Sequence, residues 1–180
     1  MGNGKEIVTA IEKAYRQKSF DSKDSIVRVG NSGTYLLEWR GAEGSVQAEF
    51  VEQDSIGLLL NSLIVGKDVR EEKDTATYLK TVAEAIEKRV NYLMEPLRVV
   101  ELDSTTNAVQ MRSEKPEVLE GNLFYFELIL KSGKWFGHRQ HLSLHRYSHR
   151  PDQEKNRRAV AFPLTKQQFE RLLDDLIDVL

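Results

Sequence analysis

All four histidines of this 180-residue chain, His138, His141, His145 and His149, crowd into one short stretch near its C-terminus. Trp135, Arg139, Arg146 and Tyr147 are interleaved with them, and Lys131, Lys134, Arg150, Lys155, Arg157 and Arg158 flank them. From 131 to 158 the eight lysines and arginines face only Asp152 and Glu154, a surplus of six. The whole chain carries a formal net charge of −2, which leaves minus eight for the remainder. Local cations interleaved with flat rings suit single-stranded DNA or RNA: the phosphates need charge, and every base offers a π-face for stacking. A solvated polar sheet face beside a charged loop would carry the same residue types, so the cluster alone leaves both readings open.

Metal ligation fits these histidines less well. On a strand, His141 and His145 stand about 13 Å apart at ~3.3 Å per residue, too far to share one ion. The chain has no cysteine, which excludes a disulfide framework, a zinc ribbon, an iron–sulfur site and a thiol nucleophile. No P-loop, G-x-G-x-x-G, G-x-S-x-G or H-E-x-x-H stands in the sequence. The acidic pairs Glu71-Glu72 and Asp174-Asp175 occupy positions where helix faces are normally solvated. The expectation is a protein with no catalytic residue, no metal and no cofactor. An enzyme whose carboxylates converge only in space stays open as an alternative.

The elements that must position the basic stretch are read from periodicity. Leu123–Lys131 and Lys134–Tyr147 read as a hairpin turned at Lys131-Ser132-Gly133-Lys134. Phe124, Phe126, Leu128 and Leu130 then share a core side with Leu142 and Leu144. Tyr125, Glu127 and Lys131 share the other side with Trp135, Arg139, His141, His145 and Tyr147. Upstream, Asn3 with Glu6 suggests a capping box for a helix through Lys18, followed by strands Ile26–Val29, Thr34–Arg40, Ser45–Glu52 and Ile56–Val65. Gly30-Asn31-Ser32-Gly33 and Gly41-Ala42-Glu43-Gly44 are the turns, and Tyr35, Trp39 and Phe50 are core by alternation. Asp74 is a candidate N-cap for a helix with the stripe Leu79, Val82, Ala83, Ile86, Val90 and Leu93, stopped at Pro96. Strands Leu97–Leu102, Ala108–Arg112 and Arg157–Phe162 complete the second series, and Thr165 with Gln168 caps a final helix carrying Phe169, Leu172, Leu173 and Leu176.

The fold class is therefore α+β: two antiparallel meander-plus-helix units of ββββα type, preceded by an extra helix. Residues 1–96 hold that helix and the first unit, and residues 97–180 hold the second, packed as one compact domain.

Within the second unit, Phe124-Tyr125-Phe126-Glu127 is similar to an aromatic strand, and Gly133-Lys134-Trp135-Phe136-Gly137 to a glycine-bracketed turn. Arg158-Ala159-Val160-Ala161-Phe162-Pro163-Leu164 is similar to a last strand entering a helix. On these segments the chain from Asn122 to Leu180 resembles the repeat of the Pur-alpha, Whirly and positive-cofactor-four group. The resemblance implies binding of single-stranded DNA or RNA across the sheet, with Tyr125, Lys131, Lys134, Trp135, Arg139, His141 and Tyr147 as contacts and transcription regulation as the setting. His145, Arg157 and Arg158 join that set from the charge cluster itself. The first half departs from the pattern, with Glu49 and Glu52 where a basic face is wanted, and the second half offers five strands where the repeat has four.

With 40% hydrophobic residues the chain can bury a sizeable core. No stretch approaches the roughly 20 apolar residues of a membrane span, and Met1 to Glu6 begin no signal peptide. Met1-Gly2 invites myristoylation, but Glu6 stands where Ser or Thr is wanted. No membrane partner is expected, the cytoplasm is the default location, and homo-oligomerisation is left open. The competing function is a protein-interaction or assembly module whose basic loop meets an acidic partner.

Overall fold

A computed structural model of the chain describes residues 2–20, 25–30, 33–68, 75–135, 138–152 and 157–180, without the side chains of Lys134, Trp135 and His138. Helix α1 (Asn3–Gln17) precedes a meander of β1 (Val27–Val29), β2 (Tyr35–Gly41), β3 (Gly44–Gln53) and β4 (Gly57–Lys67). After α2 (Thr75–Arg89) come β5 (Leu97–Asp103), β6 (Ala108–Ser113), β7 (Glu117–Leu119), β8 (Asn122–Trp135) and β9 (His138–His149). The chain ends with β10 (Arg158–Val160), β11 (Phe162–Thr165) and α3 (Lys166–Val179). The class is α+β.

All strands form one antiparallel sheet, ordered β1-β2-β3-β4-β9-β8-β6-β5 along its main path. The two strand series meet where β4 pairs with β9, from Ser62 opposite His145 to Lys67 opposite Gln140. Beyond that point the seam is filled by the two short last strands. β10 pairs with β9, placing Val160 opposite Arg146, and β11 returns along β4, placing Phe162 opposite Leu60. The segment read as one strand, Arg157–Phe162, is thus two strands broken at Ala161. Each helix that follows a strand series packs on strands of the other: α2 on β5, β6 and β8, and α3 on β4, as well as on β11 and α1.

Alternation decides which face the helices cover. Leu37 and Trp39, Val46, Ala48 and Phe50, Leu142 and Leu144, and Phe126, Leu128 and Leu130 are all buried beneath them. In β4 the run Leu58 to Val65 hides its period, because the pairing with β3 shifts register between Glu49 and Glu52. Those irregularities leave Asn61 and Val51 without partners. They let Leu58 and Leu60 face the helices before the shift and Leu63 and Val65 after it.

Helix ends show where local reading works. Thr165 Oγ1 accepts from Gln168 N at 3.1 Å, and Thr165 N donates to Gln168 Oε1 at 2.9 Å, the expected capping box. The box expected from Asn3 and Glu6 does not form. Gly2 is the N-cap and makes no side-chain cap bond, while Gly4 N donates to Asp174 Oδ1 of α3 at 2.8 Å. Asp175 accepts from the Tyr92 hydroxyl at 3.0 Å, so the acidic pair of α3 joins elements and is not a purely solvated face. Asp74, Glu71-Glu72, Asn31 and Ser32 lie outside the described residues.

Candidate nucleic-acid interface

No helix covers the other face of the sheet among the described residues, and cross-strand register lays its side chains out in rows. One row runs Ser62, His145, Glu127, Arg112, and the next Ile64, Ser143, Ile129, Gln110. A third runs Gly66, His141, Lys131, Ala108. At the opposite end Ala159, Tyr147 and Tyr125 stand in line. Lys131 is exposed, whereas Tyr125, His141, His145 and Tyr147 are half-buried.

The tyrosine end holds a tight polar cluster. Tyr147 lies 6.0 Å from Tyr125 and 5.9 Å from His145, measured between ring centroids. The Arg157 guanidinium sits 3.5 Å from the centre of the Tyr147 ring and 5.8 Å from that of Tyr125, and Arg112 lies 5.6 Å from Tyr125. Both guanidiniums are bound to Glu127. Arg112 Nε donates to Oε2 at 2.8 Å, Gln110 Nε2 to the same oxygen at 2.7 Å, and Arg157 Nη2 to Oε1. Burial works to raise the Glu127 pKa, but the arginine bonds and charges outweigh it and hold the carboxyl below its ordinary range.

Burial also pushes both central histidines below their ordinary pKa. For His141 the charge of Lys131 adds to that effect, and a hydrogen bond with the Gly133 backbone opposes it. For His145 Glu127 opposes and Arg157 adds. Both imidazoles are therefore neutral at pH 7.

Of the residues expected at the site, Tyr125, His145, Tyr147 and Arg157 come together. Lys131 and His141 share the open face but stand six residues along the strands, about 20 Å away. Arg139 is exposed close to the hairpin end, where its backbone N donates to Asp68 Oδ1 at 3.2 Å. Lys134 and Trp135 sit at the end of β8, with side chains outside those described, and Phe136 and Gly137 are also outside the described residues. The turn expected at Lys131–Lys134 is not there. β8 continues to Trp135, opposite His138, across a bulge in which Gly133 adopts φ +154°.

Two of the counted cations leave the face. Arg158 pairs with Ser148, one step out of phase with Ala159 and Tyr147, and this puts it on the helix-side parity of β10. Arg146 has the parity of Leu142 and Leu144 and is buried, bonded to Glu95 and Glu117 at 2.7 and 2.6 Å. Conversely, Arg112 and Gln110 belong to the cluster without having been expected there. Their strand is legible in the sequence, but its pairing to β8 is a non-local choice that no spacing reveals. Glu127 carried a weak signal, being a lone acid in phase with Tyr125 on a basic face.

Among the described residues no group of three His, Cys, Asp or Glu could hold a metal ion, and no helix is long and apolar enough to cross a membrane. Compared with protein-family models, with curated proteins and with solved structures, the chain matches none.

Proposed function

We propose that the chain is a non-catalytic binder of single-stranded DNA or RNA, acting through the uncovered face of β9, β8 and β6. The observation that carries this reading is the ring platform: Tyr125, Tyr147 and His145 lie side by side on the open face, with two guanidiniums over the tyrosines. Rings and guanidinium planes are the surfaces on which unstacked bases rest, and neither demands a particular base. Lys131, exposed about 20 Å along the same strands, offers charge to the phosphates at a distance of several nucleotides. The ββββα units expected from the resemblance to the Pur-alpha and Whirly group belong to this proposal, as do a cytoplasmic setting and a role in transcription regulation. Each strand series would be one unit, and the second would carry the ligand, because Glu49 rather than a cation stands on the open-face row of the first.

The test is fluorescence anisotropy with labelled oligothymidine, oligouridine and duplex DNA at low and moderate salt. Both single strands should bind more tightly than the duplex, and Tyr147→Ala should weaken them by about 5- to 150-fold, the range of one lost stack. A parent protein that binds none of the three at low salt ends the proposal.

A further inference from the structure

We propose that Glu127 is a positioning residue of this face: it holds two guanidiniums against the tyrosine rings, and so makes the centre of the surface select bases over phosphates. The inference rests on the single-strand reading above. Glu127 lies in the middle of β8 on the face that no helix covers among the described residues, yet its side chain is only 8% exposed, against 39% for Arg112 and 37% for Arg157. Both of its oxygens are engaged, and two of its three donors are arginines.

Arginine can serve a carboxylate and a ring at once. Its N–H groups point outward in the guanidinium plane, and its π-face lies perpendicular to them. Arg157 does both here, bonding Glu127 at its edge while it lies 3.5 Å from the centre of the Tyr147 ring. Left to itself a long, partly exposed arginine side chain samples many rotamers, and ordering it costs conformational entropy. The carboxylate selects the one that lies on the ring.

The consequence runs against simple electrostatics. Removing the Glu127 charge makes the face more basic and should strengthen its hold on phosphate. The donors now spent on Glu127 would be free for that purpose, but the planar stack would lose its anchor. The Glu127→Gln protein should therefore bind a bare sugar-phosphate strand better and discriminate less in favour of bases.

The experiment measures the affinity of parent and Glu127→Gln for an oligothymidine of about 20 nucleotides and for an abasic strand of equal length and charge, each at several salt concentrations. In parallel, the NMR resonance of the Arg157 Nε–Hε group is followed in both free proteins, since a ring beneath the guanidinium shifts it upfield. The preference for the base-bearing strand should fall about tenfold in the variant. The slope of log K against log salt should steepen by about 0.7 to 1.4 as one or two guanidiniums turn to phosphate. An unchanged preference together with an unmoved Arg157 resonance overturns the proposal. If neither protein binds either strand, the single-strand reading falls, and the resonance alone decides the positioning role: loss of its upfield shift supports it and retention refutes it. Should Glu127→Gln fail to fold, Arg157→Lys keeps the charge without the planar stack. It should then lower the preference several-fold at an unchanged salt slope, and an unaltered preference would count against the clamp.

Discussion

Replacing Glu95 by Ala should destabilise the protein far more than replacing Glu117, although both carboxylates bind the same arginine. Arg146 belongs by count to the basic stretch, but its side chain is only 8% exposed and lies 5.3 and 5.5 Å from the ring centres of Phe124 and Phe126. Its Nη2 group bonds Glu95, itself 5% exposed, and Glu117, which is 42% exposed. Glu95 also accepts from the Ser113 hydroxyl at 3.3 Å, and Ser113 in turn accepts from the Phe126 backbone N at 2.7 Å. A buried ion pair is worth little against an apolar pair of the same shape, but deleting one member strands the other charge at a cost of about 3–5 kcal/mol. Glu95→Ala leaves Arg146 its contact with Glu117, which argues for the lower end, about 3 kcal/mol. The half-solvated Glu117 should cost at most about 1 kcal/mol. Arg146→Met strands Glu95 and should cost about 3–5 kcal/mol, whereas Arg146→Met combined with Glu95→Leu should recover most of that loss. Urea unfolding followed by circular dichroism reads these values directly. With m near 2 kcal/mol/M, a loss of about 3 kcal/mol lowers the midpoint by about 1.5 M. Glu95→Ala within about 0.5 kcal/mol of the parent, or a double variant no more stable than Arg146→Met, would refute the account.

Phe126→Ala should cost about 3–5 kcal/mol in the same assay, because Phe126 is fully buried and meets Phe162 edge-on at 4.9 Å; a loss below about 1 kcal/mol would mean that β8 and β11 do not share a core. Lys131→Ala should flatten the salt dependence of single-strand binding by about 0.7 in slope, while Arg158→Ala, out of phase with the face, should leave it alone. Equal effects of the two would contradict the assignment of faces. Acid should strengthen binding, because burial lowers the pKa of His141 and His145 in the free protein and the phosphates must draw protons onto them; the gain begins at the pKa of the bound histidines and is complete below the lower pKa of the free ones. Stability moves the opposite way: the unfolded chain takes up these protons first, so stability is complete above about pH 6.5 and declines as the pH falls below it. A thermal midpoint in His141→Gln/His145→Gln that follows acid as steeply as the parent's would show that these histidines contribute nothing to it.

What the sequence makes legible here is local and periodic. The alternation Leu37, Trp39 and Leu142, Leu144 identifies buried faces because a strand repeats every two residues, and Thr165 with Gln168 identifies a helix start because both bonds close within one turn. Features that depend on distant partners are hidden. The first helix is capped by Asp174, a residue 170 positions away, so Asn3 and Glu6 offer a plausible local answer to a question that the tertiary structure settles otherwise. Two irregular residues, Val51 and Asn61, erase the period of β4, and β7 is too short and exposed to leave any period at all.

The candidate site shows the same division in three arginines that composition treats alike. Arg146, Arg157 and Arg158 contribute equally to a charge count, yet one is buried under α2's side of the sheet, one is laid on a tyrosine by a carboxylate, and one stands on the parity of the opposite face. Parity separates Arg146 from His145 and Tyr147 with no knowledge of the fold, since it follows directly from Leu142 and Leu144. It cannot separate Arg157 from a solvated loop cation, because that distinction depends on β10 pairing with β9 and on Glu127 standing on the next strand. A surplus of six charges is therefore a poor measure of what this face offers a polyanion. With Arg146 withdrawn and Arg112 and Arg157 bound to Glu127, the rings set the character of the tyrosine end, and Lys131 stands exposed further along the same face as a source of charge.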